Sequence, residues 1–365
     1  MQTDKSKIFF LSFLVIVSAL CFLRIFFLDL SITPESDAAT YVQAMHILNG
    51  TENIPLGYVP NRMLNTFVSM HTVLIFGAIF GGLERGWLIM NLLFFFAFNA
   101  IFYLILKRIF ESDKVALVGG LFLAANYGLV DFGVGYWMDI SSWTFYLATL
   151  YCVLRYWQTK EYRMLIYASI AVGVGATFKE YALLGVIPIA WAIIQNEWPH
   201  VLRIVQKGIV PALISLVPVF LVYIFVFKTY GYTYADWLAA NHEHYVYVSR
   251  ITEYIKSFGS LYTFLAIAVI GGAYCWVRYG TQILTEKRVH MFIASVILSV
   301  LPLFLWPGIT QRTSFITVPA MIMVASFFFK RFEKQWWVWI PVLIVYAAGN
   351  FLMDSVILPG VNLPF

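Results

Sequence analysis

Apolar runs of helical length recur from one end of the chain to the other, at approximately 8–30, 87–106, 115–131, 140–157, 164–178, 180–195, 208–227, 258–277, 289–305, 313–329 and 336–352. A helix needs about 20 such residues to cross the hydrocarbon core of a bilayer. Eleven runs near that length therefore predict an all-α integral membrane protein, a bundle of about eleven transmembrane helices. Composition agrees: 61% of the 365 residues are hydrophobic and 12% charged, against about 25% charged in soluble domains. Glycine and proline fall at the ends of the runs or inside them, without strand-like alternation between turn clusters, which excludes a barrel. What remains between runs is too short for a separate soluble domain, so residues 1–365 read as a single polytopic membrane domain.

The first run is too long and too aromatic for a cleaved signal, lacks a small-residue cleavage site, and follows Lys5 and Lys7. It predicts a retained anchor with a cytoplasmic N-terminus. Cys21, Cys152 and Cys275 all sit within apolar runs, as small buried thiols do, and give no disulfide framework. The net charge of +5 fits basic cytoplasmic loops and not a nucleic-acid surface.

Met63–Gly82 is the ambiguous segment, because its first half carries Asn65, Thr66, Ser69, His71 and Thr72. Charge decides where it lies. If it is a juxtamembrane helix, 16 of the 24 basic residues fall on the cytoplasmic side, and eight, among them Arg62, Lys179 and Arg312, fall outside. If it spans, the split reverses, against the excess of Lys and Arg in cytoplasmic loops. The expected topology therefore has one large extracytoplasmic loop at 31–86 with juxtamembrane helices, and a second at 228–257.

That topology collects the polar chemistry on one face. Glu35 and Asp37 lie just beyond the first span; Asp131 and Asp139 flank "DFGVGYWMD"; Lys179 and Glu180 occupy a tight turn; "NHEHYVYVSR" carries His242 and His244; and Arg312 follows "WPGITQ". A charge at membrane depth costs roughly 2.5–3.5 kcal/mol at a helix centre and less near its ends, so a ring of them at one surface invites a functional reading. Any one of them alone is explained equally well as a solvated loop residue. The two histidines, two apart, can supply metal ligands from an extended segment, but a metal site needs further ligands. Contact with an acceptor or a lipid head group is the better reading.

The order "PESDAATYVQAMHILNG", "VPNRML", "LILKRIFESDKVALVGGLFLAANYG", "YWMDISSWTFYLATLYCVLRYW", "GVGATFKEYALLGVIPI" and "QRTSFITVPAMIM" resembles the C-type glycosyltransferase superfamily (GT-C). The nearest likeness is to its branch of protein O-mannosyltransferases and the lipid A aminoarabinose transferase. The resemblance covers most of residues 1–330. It implies a GT-C bundle, a polyprenyl-phosphate sugar as donor, and a hydroxyl acceptor on a glycan, lipid or protein. Asp37 falls at the family's acidic position in the first outer loop, four residues before Tyr41, and Asp139 matches the acid that opens a later helix. Lys179 and Arg312 match basic positions, and Arg62 stands near one. The resemblance thus implies Asp37 and Asp139 as catalytic, Lys179, Arg312 and Arg62 on the donor phosphate, and Glu35 and Tyr41 near the acceptor. Family members often carry two adjacent acids where this chain has Asp37 and Ala38, which weakens the argument for a divalent metal.

The chemistry explains the residue types. A polyprenyl-phosphate leaving group needs neutralisation and no proton, which Arg and Lys supply. The acceptor hydroxyl needs a carboxylate base, worth about 10²–10⁴-fold. One aspartate opposite the phosphate gives inversion, the outcome the resemblance implies. The prenyl tail would follow aromatic-rich walls such as "LLFFFAFNAIFYLIL" or "FLVYIFVFKTYGYTYADW", although membrane helices are commonly aromatic. A transporter or flippase of lipid-linked sugars, or a polysaccharide polymerase or ligase, stays open as an alternative. The chain shows no internal repeat of the kind transporters carry, and its large loop follows the first helix. A short chain with no soluble domain points to a bacterial inner membrane, with the active site on the periplasmic or extracellular face.

Overall fold

The computed structural model describes residues 2–27, 37–51, 58–245, 250–305 and 310–353. Among them the chain forms α1 (Gln2–Phe27), α2 (Asp37–Leu48), α3 (Tyr58–Phe80), α4 (Leu83–Phe110), α5 (Asp113–Ala124), α6 (Tyr127–Phe132), α7 (Asp139–Thr159), α8 (Tyr162–Phe178) and α9 (Val186–Glu197). It continues with α10 (Val201–Tyr230), α11 (Tyr234–Tyr245), α12 (Arg250–Tyr262), α13 (Ala266–Ile283), α14 (Lys287–Val300), α15 (Gln311–Ser314), α16 (Thr317–Arg331) and α17 (Trp339–Phe351). Short 3₁₀ turns occupy Glu180–Gly185, Leu301–Leu305 and Glu333–Val338. No strand occurs among the described residues.

Every expected apolar run is mainly helical, but many of the helices are short or broken. Five described helices are long and apolar enough to cross a membrane, or six if the bent pair α12–α13 counts as one span. Two of the breaks have visible causes, one polar and one of packing. The run expected at 115–131 divides into α5 and α6 at Asn126, whose amide donates to the Leu261 carbonyl (3.0 Å) and to the Tyr346 hydroxyl (2.8 Å). Its side-chain oxygen accepts from the Gly128 N–H at 3.1 Å. A side chain that offers the backbone a competing partner ends a helix where apolar periodicity alone would carry it on. The run expected at 258–277 contains an 81° bend between α12 and α13. There the Phe264 ring lies so close to Gly349 that a Cβ at that position would meet it at 2.6 Å.

Met63–Gly82, expected as a juxtamembrane helix, falls largely within α3, which is kinked at Thr66 (φ −141°, ψ 32°). The Thr66 hydroxyl donates back to the Arg62 carbonyl at 2.7 Å. The helix has the length and apolar content of a span, so its interfacial placement rests on the charge distribution.

The chain divides into two compact units. The first takes residues 1–29, 96–132 and 248–365, the second residues 30–95 and 133–247. In the first, α5 packs against α1, α16 and α17, and α13 against α16. One end of this unit is joined by Ser6 donating to Asp113 (3.1 Å) and by the Lys107–Asp113 (2.8 Å) and Lys330–Glu333 (2.7 Å) pairs. The other end is joined by Arg24, whose Nε donates to the Val130 carbonyl (2.6 Å) and whose guanidinium pairs with Asp131 (3.0 Å). In the second unit α8 packs against α7, α10 and α3, and α3 also holds α2. Gly175 permits the α7–α8 approach, because a Cβ there would meet the Phe145 Cβ at 2.3 Å.

Candidate active site

The second unit builds its polar centre where α8 stops. Lys179 leaves the helix in an extended conformation (φ −167°, ψ 151°), and its N–H still bonds to the Gly175 carbonyl. The last carbonyls of a helix have no partner within it, and here side chains from two other helices supply them. The Ser69 hydroxyl of α3 donates to the Phe178 carbonyl at 2.8 Å, and the Ser142 hydroxyl of α7 donates to the Lys179 carbonyl at 2.5 Å. Ser142 also accepts from the Ala182 N–H at 3.0 Å, pinning the 3₁₀ turn that follows. The backbone around Lys179 is thereby fixed on both sides.

Its side chain points at the first residue of α7. Lys179 Nζ lies 3.0 Å from Asp139 Oδ1, with the two side chains 6% and 0% exposed. Charges so deeply withdrawn from water persist only when paired. The approach to Asp139 is held by α4: Asn91 donates to the Gly135 carbonyl (2.5 Å) and the Trp137 carbonyl (2.8 Å), and the Trp87 indole donates to the Trp137 carbonyl (3.2 Å).

Tyr41 of α2 joins this centre, buried to 2% exposure. Lys179 Nζ sits 5.9 Å from its ring centroid and 5.7 Å from that of Tyr181. The Arg62 guanidinium lies 4.5 Å over the Tyr41 ring, while its Nε donates to the Thr40 hydroxyl at 3.0 Å. One aromatic ring therefore touches two cations, an arrangement favoured by the negative face of the π system. Lys179 and Arg62 thus lie beside one buried carboxylate, Asp139, with Glu180 next to Lys179 in the chain.

The structure thus brings Asp139, Lys179, Tyr41 and Arg62 together. Asp37 is the first residue of α2, one turn before Tyr41, and its side chain lies outside the described residues. Glu35 lies outside them too. His242 and His244 fall in α11, so the segment is helical where metal ligation at a spacing of two needed it extended; their side chains are also outside the described set. Arg312 belongs to the first unit, half-buried in α15, whose start is closed by a reciprocal Thr310–Thr313 capping box. No group of three or more His, Cys, Asp or Glu able to hold a metal ion occurs among the described residues. Sequence reasoning missed Ser69, Ser142, Thr40 and Asn91. The signal available was "MDISS", where a hydroxyl three residues after Asp139 shares its first helical turn.

Fold and cluster together define an all-α membrane protein with a buried ion pair at its polar centre. Residues 66–226 match the family model described as dolichyl-phosphate-mannose-protein mannosyltransferase. The fold is also similar to that of ArnT from Cupriavidus metallidurans, solved bound to undecaprenyl phosphate: TM-score 0.60 at 16% identity, over 95% of this chain and 65% of that one. This chain therefore spans about 65% of the length of that protein. Curated protein sequences give no significant match.

Proposed function

We propose that the protein transfers a sugar from a polyprenyl-phosphate donor to a hydroxyl acceptor on the extracytoplasmic face of the membrane, with inversion at the sugar C1. The observation that carries this is the buried Lys179–Asp139 pair beside Tyr41 and Arg62. Lys179 and Asp139 lie within the stretch matching a family model whose name contains a dolichyl-phosphate sugar. The similar fold of ArnT holds undecaprenyl phosphate; both lipids are polyprenyl phosphates.

In this reading Lys179 and Arg62 neutralise the phosphate as it departs. The acceptor oxygen bonds to C1 while the C1–O bond to phosphate breaks, and the electron pair leaves on the phosphate. Asp37 accepts the hydroxyl proton. Asp139, fully buried against Lys179, acts as the positioning residue that keeps the ammonium in place between turnovers.

The test supplies radiolabelled polyprenyl-phosphate sugars to membranes with and without the protein and identifies what becomes labelled. Asp37→Asn should lower transfer by at least ~10²-fold while donor binding and membrane accumulation persist. Glu35→Gln should be milder. If Asp37→Asn, Glu35→Gln and Asp139→Asn all transfer at wild-type rates, the carboxylate base is lost; if membranes with the protein label nothing that membranes without it do not, the transferase reading gives way to transport of the lipid-linked sugar.

A further inference from the structure

The first unit contains a cavity of about 490 Å³ that the proposed chemistry leaves unused. It runs along α1 from Ile8 and Phe9 past Ile16 to Leu20, faced by Leu121 of α5 and Ile344 of α17. Twelve residues of helix rise about 18 Å, slightly more than half of a ~30 Å hydrocarbon core. If a methylene takes about the ~30 Å³ of a water, the volume holds roughly sixteen such groups. Depth and volume both suit one hydrocarbon chain of one leaflet.

The two ends of the groove differ in charge. At the Leu20 end the nearby cation, Arg24, is neutralised by Asp131. At the Ile8 end, where Phe9 meets Trp336 edge-on at 6.4 Å, lysines gather. Ser6 bonds to Asp113, and Ser112 donates to Glu333. Lys5 and Lys7 flank Ser6, Lys114 follows Asp113 and Lys334 follows Glu333, so four lysines against one acid, Glu111, are within one residue of that bonded network. Lys5, Lys7 and Lys334 are exposed and Lys114 half-buried. An apolar slot with Trp336 in its lining, and with lysines next in the chain to the network at that end, has the two halves of a phospholipid site, a chain channel and an anion-binding rim.

We propose that this groove binds an anionic glycerophospholipid from the leaflet at its lysine-rich end, with one acyl chain between α1, α5 and α17 and the head-group phosphate against Lys5, Lys7, Lys114 and Lys334. The charge of the rim selects an anionic head group over a zwitterionic one, and the one-leaflet depth selects an acyl chain over a much longer prenyl chain.

The test places the full chain in phosphatidylcholine nanodiscs containing a minor fraction of phosphatidylglycerol or phosphatidylcholine with brominated acyl chains. Quenching of tryptophan fluorescence is read with no sugar donor present, so its outcome is independent of the transferase reading. The share of quenching lost in Trp336→Phe/Trp339→Phe is the groove signal. Brominated phosphatidylglycerol should give the stronger groove signal. Lys5→Gln, Lys7→Gln and Lys334→Gln should each weaken that preference by about fivefold, and Leu121→Phe/Ile344→Phe should abolish the groove signal for both lipids. Equal quenching by the two lipids in the wild-type protein overturns the proposal, and that comparison needs no variant. Displacement of brominated phosphatidylglycerol by equimolar polyprenyl phosphate overturns the choice of occupant.

Discussion

Replacing Asp139 by Asn tests whether the buried pair is what holds the site together. At 3.0 Å and an effective dielectric of about 20, the gross attraction is roughly 5–6 kcal/mol, before desolvation offsets part of it. Removing one partner leaves Lys179 charged at 6% exposure, and such truncations cost about 3–5 kcal/mol. Since 1.4 kcal/mol is a factor of about ten, the folded population relative to the unfolded should fall by at least ~100-fold. Asp139→Leu/Lys179→Met removes both charges in similar volume and should recover most of that loss, because an apolar replacement of a buried pair is often neutral. It should not recover transfer, because the phosphate then lacks Lys179. Thermal unfolding in detergent, together with transfer of a labelled sugar, reads both quantities on the same preparations. An Asp139→Asn protein that melts with the wild type, or a double variant as unstable as the single one, refutes the argument.

Lys179→Ala and Arg312→Ala should each weaken donor use more than Lys228→Ala or Lys256→Ala, a charge-assisted contact being worth about 1.5–3 kcal/mol; equal small effects at all four count against a phosphate clamp. Ser142→Ala deprives both the Lys179 carbonyl and the Ala182 N–H of a partner; it should cost about 1–3 kcal/mol and raise KM for donor, readable in initial-rate kinetics. For topology, cysteines replacing Thr51 and Glu84, both exposed, should react with an impermeant thiol reagent from outside, and one replacing exposed Thr159 should not; protection of the Glu84 site with labelling of the Thr159 site makes α3 a span. Asp236 accepts from the Thr233 hydroxyl (2.6 Å) and N–H (2.7 Å), which hold its carboxyl below the usual range. A depressed pKa stabilises above the unfolded value and is lost as pH falls through the folded one, so acidification, or Asp236→Asn at neutral pH, should lower the protection of amides in the first turn of α11 relative to their intrinsic exchange rate at the same pH.

The fold class was legible because apolar length is a one-dimensional quantity: α1, α4 and α10 can be read directly from composition. The breaks were not, because what ends α5 is the reach of Asn126 to Leu261 and Tyr346, partners far away in the chain. The order of charged motifs carried a resemblance that the similar fold of ArnT supports, and Asp139, Lys179, Arg62 and Tyr41 do converge. The reason they converge stayed hidden, since Ser69 and Ser142 bind backbone carbonyls, and a serine in an apolar run looks the same whether it bonds its own helix or another. The histidine pair shows the limit of spacing: two residues apart carries metal-ligand geometry only in an extended segment, and α11 is a helix, while the expected contact of His242 and His244 with an acceptor or head group lies outside the described side chains.

The first unit also dictates an order of manufacture. Ser112 meets Glu333, Asn126 meets Tyr346, and the Tyr127 N–H meets the Asn350 side chain, bonds that join residues 220 or more positions apart. A ribosome adding about 5–20 residues per second needs roughly 10–45 s to cover that interval. Through that wait Asn126 and Tyr127 are already made while their partners are not. During biogenesis α5 and α6 therefore stand beside α1 with polar groups still to be matched, and the arrival of α17 is the event that closes the unit. A ribosome that stalls or a chain that is cut shortly before Tyr346 should leave an inserted protein whose earliest helices are the ones a membrane quality-control protease finds open.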